Sequence, residues 1–434
     1  MAAPGGRYFI QEKLKDPAVH HESYKQLWET KWKQLISAKS SFQHSFQSQA
    51  ESGICPFMFS TAKDFEPIVE DLVKRDFKPP YDCDEYARAH FPQAEKLLNV
   101  ARKADAKGDI EKASEYYLRA SAIYRVARFP TLRSNAQREA WRLQKECCLK
   151  GLSLRPHPIL EINVPHTHSL PIEGDEIPIY YLLPTEASMQ NRVPCLIFIT
   201  GLDAYRTEAA IFMDAFRKLG IATIAIEVPG TGDCPASRTD PKSPDRLYSS
   251  LFGWIAQQDS LDIDRVGVWS YSTGGYYGIR IAHTHPGDLI GVVSQGGGCH
   301  HMFDPEWLNH VNHLEYPMDL AGALADKFGY GNDVEAFKSE ASDKFSLLKD
   351  GTLDKHKCAR LLLVNGTDDE VFPIDDLYLA LQHGAAKEAR FETGAMHMGG
   401  TLSYYMSIRW LLDLFEKDAD PAVVLQAFSF KPRY

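Results

Sequence analysis

The stretch Trp269-Ser270-Tyr271-Ser272-Thr273-Gly274-Gly275 decides the fold of this chain. It follows an apolar, strand-like run at residues 265–269 and leads into a helix-like segment. A serine between small residues at a strand-to-helix turn matches the G-x-S-x-G nucleophile elbow, whose tight turn exposes the serine hydroxyl. Gly274 fills the small position after the serine, and Ser270 stands where glycine is usual before it. The pattern predicts Ser272 as a nucleophile, with a chemically inert turn as the alternative.

Two later loops supply the partners that a nucleophilic serine requires. An apolar run at residues 361–364 leads to Asp369, four residues before Pro373, a common position for the acid of a triad. Two ordinary turn aspartates, Asp368 and Asp369, are the alternative, since aspartate is frequent in loops. His397 follows in a later loop rich in glycine. The chain order Ser, Asp, His is that of α/β-hydrolases and differs from that of other folds with this triad.

The three side chains have distinct predicted roles. His397 takes the proton of Ser272 as the oxygen attacks and later returns it to the leaving group. Asp369 holds the imidazole tautomer and stabilises the imidazolium. The developing oxyanion needs backbone N–H donors, each worth about 3–4 kcal/mol. We expect these donors to be the amides of Thr273 and of Leu202, which lies in the loop after an early strand.

The second part of the chain alternates strand-like and helix-like segments. This alternation predicts a mostly parallel sheet covered by helices, the α/β-hydrolase fold. Continuously apolar runs such as 196–199 and 361–364 are typical of strands buried on both faces. The predicted strands are residues 159–164, 177–183, 194–200, 222–228, 265–269, 289–294 and 359–364.

Two departures from this alternation predict the domain organisation. Residues 1–155 read as a helical N-terminal domain, and residues 156–434 as the catalytic domain. Within the latter, helical pieces without strands predict a lid insertion at about 299–349, with a long crossover connection as the alternative. The predicted helices of the first domain span residues 23–39, 94–106, 110–127 and 136–149, the last capped by Ser134 or Asn135.

Further polar residues lie near the predicted strand ends. Asp203, Tyr205 and Arg206 follow the oxyanion loop, either as substrate contacts or as a surface cluster. His300 and His301 follow a predicted strand, which places them at the active-site end of the sheet. Paired histidines invite a metal site, but no carboxylate or third histidine stands at ligand spacing in the sequence. We therefore predict no metal.

Composition and charge limit the classes of binding partner and the cellular compartment that can be expected. The chain has 434 residues, a formal net charge of −10 and a pI of about 5.9. This balance argues against a nucleic-acid partner, which clustered lysine and arginine would bind. Its eight cysteines form no C-x-x-C pair and are expected to be buried thiols in a reducing compartment. No secretory signal or integral membrane segment is predicted, so the cytoplasm is expected, with peripheral association with a vesicle or endosome left open.

Several motifs together resemble the fungal yellowish-green hydrolases, which shorten polyketides during melanin pigment formation. The resemblance covers nearly the whole chain. The motifs are Leu27-Trp28-Glu29-x-Lys31-Trp32, Arg125-x-x-Arg128-Phe129-Pro130, Thr200-Gly201-Leu202-Asp203-x-Tyr205-Arg206, Pro229-Gly230-Thr231-x-Asp233-Cys234-Pro235, Ser272-x-Gly274-Gly275-Tyr276-Tyr277, Cys299-His300-His301-x-x-Asp304-Pro305-Glu306-Trp307 and His397-Met398-Gly399. The wider clan includes bacterial carbon–carbon hydrolases with the same helical N-terminal domain.

This resemblance implies a function beyond what the motifs alone establish. It implies a retro-Claisen cleavage of an aromatic polyketide by the same triad, without a cofactor. It also implies that the N-terminal helices and the insertion form the substrate pocket, and it adds His300 and Glu306 to the candidate substrate contacts. Ser270-Tyr271 stand where that family usually has Gly-Leu, and the chain is somewhat longer than typical members. Both departures bear on the predicted substrate more than on the predicted mechanism.

Three other functions are compatible with the sequence. An esterase, lactonase or thioesterase uses the same triad with a different leaving group. An acyltransferase or cyclase passes the acyl group to an acceptor other than water. A non-catalytic binding protein could keep the fold, although the intact triad argues against it. The oligomeric state stays open, with a homodimer as one alternative.

Overall fold

The structure, a computed structural model, describes residues 22–29, 56–428 and 430–434 and divides into two compact units. The helical unit comprises the described residues of Val19–Glu161 together with those of Phe428–Tyr434. The sheet unit comprises Ile162–Ala427. Within the described residues, none of the helices combines the length and apolar composition that crossing a bilayer requires.

The helical unit is built mainly from three long helices. They are α3, α4 and α5, which follow the shorter α1 and α2; the bounds are α1 Tyr24–Glu29, α2 Ala62–Lys74, α3 Cys83–Ala106, α4 Ile110–Ala127 and α5 Asn135–Ser153. The helix α3 begins well before the predicted residue 94 because the carboxylate of Asp82 caps its first turn and Pro92 is accommodated inside it. Ser134 caps α5, as the sequence predicts, by accepting from the N–H of Gln137. Beyond Glu29, the helix predicted at 23–39 lies outside the described residues.

The end of the chain packs on the helix α4. The Glu115 carboxylate accepts from the N–H of Arg433 at 2.7 Å and from that of Tyr434 at 3.3 Å. Arg119 donates to the carbonyl oxygen of Tyr434 at 2.8 Å and also pairs with Asp64 of α2 at 2.6 Å. These side chains of α2 and α4 are almost fully buried. The last residues are themselves exposed, but their backbone is bonded to buried side chains of the helical unit.

The sheet unit carries an eight-stranded sheet in the order β1-β2-β4-β3-β5-β6-β7-β8. The strand β2 pairs antiparallel with β4, and the strands from β4 to β8 are parallel to one another. This arrangement confirms the predicted fold class. The strands are β1 Leu160–Pro165, β2 Glu176–Leu182, β3 Val193–Ile199, β4 Ala222–Ile226, β5 Leu261–Tyr271, β6 Gly291–Gln295, β7 Leu361–Gly366 and β8 Glu388–Glu392.

The strands β3 and β7 are buried along their whole length, and the last strand is not. Every residue of β3 and β7 is buried, which is why both read as uninterrupted apolar runs. The strand β8 was not predicted, because it lies at the edge of the sheet and is charged and partly exposed. The helices of this unit outside the insertion are α6 Arg206–Arg217, α7 Ser243–Ile255, α8 Thr273–Thr284, α12 Asp375–Gln382, α13 Thr401–Leu414 and α14 Pro421–Gln426.

A helical segment is inserted between β6 and β7. Its short helices are the 3₁₀ turns His301–Phe303 and Val311–His313 and the α-helices α9 Pro305–Leu308, α10 Leu320–Lys327 and α11 Val334–Phe345. Phenylalanines hold these pieces together: the rings of Phe303 and Phe328 lie 5.2 Å apart edge to face, and Phe328 stacks on Phe337 at 5.8 Å. The insertion therefore has its own small apolar core.

Candidate active site

Ser272 lies at a sharp turn between β5 and α8. Its φ of 53° and ψ of −129° are strained for a residue with a side chain. The turn is held by backbone bonds on both sides, with the N–H of Ser272 donating to Gln295 at 2.8 Å. A Cβ at Gly274 would lie 2.4 Å from the carbonyl oxygen of Thr200 and 2.6 Å from that of Ile199. Glycine is therefore required two residues after the serine.

The unusual serine before the nucleophile has a structural explanation. The Ser270 hydroxyl is buried and donates to the carbonyl oxygen of Val293 at 2.8 Å. On the other side it faces Gly278 of α8, where a Cβ would lie only 2.1 Å from the hydroxyl oxygen. The extra atoms of Ser270 thus fit because α8 carries a glycine opposite them.

The structure brings Ser272, His397 and Asp369 into one hydrogen-bonded chain. The Nε2 atom of His397 lies 2.8 Å from the Ser272 hydroxyl, and its Nδ1 atom lies 2.8 Å from Oδ2 of Asp369. Because a carboxylate only accepts, Nδ1 carries the proton and Nε2 is free to accept from Ser272. Ser272 is partly exposed, whereas Asp369 is fully buried. A buried acid, a base and an accessible hydroxyl in this order are the arrangement that activates a serine.

The Asp369 carboxylate is held by four donors. Its Oδ1 accepts from the N–H groups of Val371 at 2.7 Å and Phe372 at 3.0 Å. Its Oδ2 accepts from the side-chain amide of Asn365 at 2.6 Å as well as from His397. The carbonyl oxygen of the same Asn365 side chain accepts from the N–H of Met398 at 2.8 Å. One asparagine therefore joins the acid loop to the base loop.

The surroundings of His397 favour its charged form. Burial alone lowers the pKa of an imidazole, but the charge and hydrogen bond of Asp369 raise the pKa of His397 above its ordinary value. The more distant carboxylates of Glu315 and Asp203 act in the same direction. An imidazolium formed when Ser272 loses its proton is thus stabilised chiefly by the carboxylate of Asp369.

The backbone beside Ser272 offers donors for an oxyanion. A Cβ at Gly201 would lie 3.1 Å from Cβ of Ser272, so a side chain there would push this loop a few tenths of an ångström away from the nucleophile. The neighbouring amides of Leu202 and Thr273 have no protein acceptor within residues 56–428. Both N–H groups thus satisfy a first requirement for the predicted role, since an oxyanion-hole donor must be available to the reacting oxygen.

The other candidates of the oxyanion loop differ in their surroundings. The Asp203 carboxylate accepts from the Tyr316 hydroxyl at 2.6 Å. The guanidinium of Arg206 is buried and pairs with Glu227 at 2.7 Å and with Asp233 at 2.9 Å. Tyr205 is also buried, and its N–H donates to a glutamate of α6. Of the three, Asp203 is the one bonded to the insertion, whereas Arg206 is engaged in a buried ion-pair network.

His300 and Glu306 lie at the start of the insertion. The Nδ1 atom of His300 lies 2.7 Å from the Ser346 hydroxyl, and its N–H donates to Asp376 at 2.7 Å. Glu306 is a partly exposed residue of α9. Neither of these two contacts of His300 involves Ser272, His397 or Asp369.

One premise of the sequence argument against a metal was wrong. Possible ligand atoms of His300, His301 and Asp304 all lie within 4.8 Å of one another, so a carboxylate does accompany the two histidines. The Nδ1 atom of His301 lies 2.8 Å from Oδ2 of Asp304, and this contact raises the pKa of the imidazole against the effect of burial. His301 and Asp304 are hydrogen-bonded to each other, and the absence of a metal stays a prediction.

Sequence reasoning missed four residues that organise this site. Glu315 and Tyr316 of the insertion contact the catalytic loops, and no sequence motif marks either of them. Gln295 and Asn365 directly follow the predicted strands 289–294 and 359–364 and were not singled out, yet the side-chain amide of Gln295 donates to the carbonyl oxygen of Met398 at 2.9 Å. A polar residue at the last positions of a buried strand was the available signal for both.

The comparisons with known proteins agree with this architecture. Residues 91–413 match the family described as esterase FrsA-like. The esterase FrsA of Photobacterium profundum is 24% identical over 73% of this chain and 74% of its own length. The hydrolase LUC6 of a Fusarium species is 25% identical over 65% of this chain and 73% of its own length.

Solved structures share the fold. The crystal structure of 2,6-dihydroxy-pseudo-oxynicotine hydrolase superposes with a TM-score of 0.65 at 18% identity, covering 87% of this chain and 98% of that one. The structure of AbyA5 gives a TM-score of 0.60 at 19% identity, covering 77% of this chain and 92% of that one. The family match spans well over half of the chain and includes β1–β8 with the elbow. The chain therefore belongs to the esterase FrsA-like family and is an enzyme of the α/β-hydrolase fold.

Proposed function

We propose that this protein is a serine hydrolase that cleaves a carbon–carbon bond beside a ketone in an aromatic polyketide. Ser272 is the nucleophile, His397 the base and Asp369 the acid. The observation that carries the catalytic assignment is the chain of two 2.8 Å contacts from Asp369 through His397 to the hydroxyl at the elbow. The amides of Leu202 and Thr273 receive the oxyanion.

The reaction consists of two displacements at one carbonyl carbon. The Ser272 oxygen attacks the ketone while His397 takes its proton, and the carbonyl oxygen becomes an oxyanion. Collapse of this intermediate breaks the carbon–carbon bond, and its electron pair leaves as an enolate stabilised by a second carbonyl or an aromatic ring. The imidazolium protonates that carbon. Water, deprotonated by His397, then hydrolyses the acyl-enzyme and releases a small carboxylic acid.

The choice of a carbon–carbon bond rests on the resemblance to the fungal yellowish-green hydrolases. Its motifs include the elbow, the oxyanion loop and the His397 loop, all of which meet at Ser272 in the structure. The similarity to a fungal hydrolase from a Fusarium species supports the same direction. Ester hydrolysis is the second candidate, because the matching family is described as esterase FrsA-like.

A mass-resolved assay distinguishes the two candidates. The purified protein is offered an acylated naphthopyrone-type polyketide, simple aryl esters and lactones. A chain-shortened aromatic product with the matching small acid establishes carbon–carbon cleavage. Turnover of esters or lactones alone would leave the triad in place and refute the proposed substrate class.

A variant at the elbow tests the nucleophile. We expect Ser272→Ala to lose about 10⁴-fold or more of the turnover, as removal of a triad serine does, and to lose labelling by a fluorophosphonate probe. Ser339→Ala, at an exposed serine of α11, is the matched control and should behave as the wild type. Retained turnover in Ser272→Ala would overturn the assignment and direct attention to Ser270.

A further inference from the structure

Two consecutive residues of the insertion reach the catalytic loops. Glu315 and Tyr316 lie between the 3₁₀ turn Val311–His313 and the helix α10. The insertion begins after β6 and ends before β7, so these two residues are far in sequence from the loops that they contact. Each makes a hydrogen bond to a different part of the active site.

The Glu315 carboxylate bridges the acid loop and the base loop. It accepts from the backbone N–H of His397, with distances of 3.0 Å to Oε2 and 3.2 Å to Oε1. The same Oε2 lies 3.4 Å from the backbone N–H of Glu370, the residue next to Asp369. A single side chain thus fixes the backbone at the base and beside the acid.

Tyr316 holds the third catalytic loop. Its ring is buried, and its hydroxyl donates to Oδ2 of Asp203 at 2.6 Å. Asp203 directly follows Leu202, whose amide is the proposed oxyanion donor. The short bond to a carboxylate is of the stronger, charge-assisted kind. The position of the oxyanion loop is therefore set from the insertion.

Charged groups from every neighbouring loop face Glu315. Asp369 and Glu370 come from the loop after β7, His397 from the loop after β8, and Asp203 lies in the loop after β3. Burial and the negative charge of Asp369 raise the pKa of Glu315, while the positive charge of His397 opposes the shift. In the other direction, the charge of Glu315 contributes to the raised pKa of His397.

We propose that Glu315 and Tyr316 are positioning residues, through which the insertion holds the base, the acid and the oxyanion loop in one reactive arrangement. This inference rests on the proposed serine hydrolase mechanism and deepens it. Displacing a reacting group by about 1 Å can cost about 10²-fold in rate, so three hydrogen bonds of this kind are sufficient to matter. The insertion is then part of the catalytic assembly in addition to any contact with substrate.

The test measures the rate at which a fluorophosphonate probe labels Ser272, because that rate does not depend on knowing the substrate. We expect Glu315→Ala to slow labelling about 10- to 100-fold and Tyr316→Phe about 10-fold. Glu335→Gln, at an exposed glutamate, and Tyr330→Phe, which removes a 3.1 Å bond to Glu340 within the same insertion, are the matched controls. Both controls should label at the wild-type rate.

The variant Glu315→Gln tests whether an acceptor oxygen at position 315 is sufficient for positioning. Burial and the charge of Asp369 raise the pKa of Glu315 to about 8, so near pH 7 its side chain is largely neutral and glutamine matches it in shape and in acceptor oxygen. We expect Glu315→Gln to restore most of the labelling rate that Glu315→Ala loses, because glutamine can still accept from the N–H of His397.

The outcomes separate this inference from the proposed function. Wild-type labelling at Ser272, with slowed Glu315→Ala and Tyr316→Phe and a rate restored in Glu315→Gln, supports it. Wild-type rates in the alanine and phenylalanine variants, or a glutamine variant as slow as the alanine variant, overturn it while the triad stands. If Glu315→Ala does not fold, Tyr316→Phe decides, and a wild-type rate in that variant overturns the inference. Absence of labelling in the wild type would remove the proposed function, and this inference with it.

Discussion

Replacing Asp369 by asparagine is the sharpest test of the proposed triad. The substitution preserves the shape of the side chain but turns one acceptor oxygen into an NH₂ donor. Two orientations are available. With the NH₂ at the Oδ1 position it faces the two N–H donors of Val371 and Phe372; at the Oδ2 position it faces the amide of Asn365 and His397.

The difference between the two orientations can be counted in hydrogen bonds. With the NH₂ at the Oδ1 position, it faces two backbone N–H donors and has no acceptor. With the NH₂ at the Oδ2 position, it faces one fixed donor, the amide of Asn365. The imidazole of His397 can accept from it there, because its proton can move from Nδ1 to Nε2. Each buried donor left unsatisfied costs about 1–3 kcal/mol, so the second orientation is favoured by about that amount. In it, Nε2 carries a proton and cannot accept from the Ser272 hydroxyl 2.8 Å away.

We therefore expect Asp369→Asn to lose about 10⁴-fold in the rate of the chemical step, the loss seen when the equivalent change fixes the wrong tautomer in serine proteases. That factor corresponds to about 5.5 kcal/mol of transition-state stabilisation. The assay is the fluorophosphonate labelling rate, with thermal unfolding as a check on the fold. Asp368→Asn is the matched control at the adjacent aspartate. A variant that keeps more than a tenth of the wild-type rate would refute the tautomer argument.

Three further predictions concern the elbow, the base and the end of the chain. Gly274→Ala should abolish labelling and lower the melting temperature, because its Cβ would lie 2.4 Å from a carbonyl oxygen, while Gly253→Ala, with open space around it, should do neither. The base must be neutral to take a proton, and the pKa of His397 is raised above the ordinary 6.5 of histidine. We therefore expect kcat/KM to fall as the pH drops through a value above 6.5. An acidic limb centred below 6.5 would contradict this prediction. Glu115→Ala should cost about 0.5–1.5 kcal/mol of unfolding free energy, measured by denaturant titration, because it removes the acceptor of the N–H groups of Arg433 and Tyr434; an unchanged midpoint would contradict it.

The parts of the fold that could be predicted from sequence are those set by local chemistry. The elbow is readable because a turn at a φ of 53° needs small residues two positions before and after the nucleophile, and Ser270 and Gly274 stand there. The strand β7 is readable because burial on both faces demands an uninterrupted apolar run. The cap at Ser134 is readable because a helix start needs an acceptor within three residues.

The parts that could not be predicted depend on tertiary context. The edge strand β8 is Glu-Ala-Arg-Phe-Glu, and its pairing with β7 determines its structure more than its composition does. The carboxylate of Asp304 reaches His301 only because a short 3₁₀ turn brings positions three apart together. Local patterns carry no information about either contact.

The contacts of the insertion also depend on tertiary structure more than on local sequence. It is attached at several points: the buried Lys327 donates to the carbonyl oxygen of Pro229 at 3.1 Å, the indole of Trp307 donates to that of Val371 at 3.2 Å, and Tyr276 donates to that of Phe345 at 2.8 Å. All three acceptors are backbone carbonyl groups, which any residue supplies. Such contacts constrain the position of the insertion without constraining most of its sequence. The elbow, which is constrained by its own turn, can therefore stay recognisable in sequence while most of the insertion is free to vary.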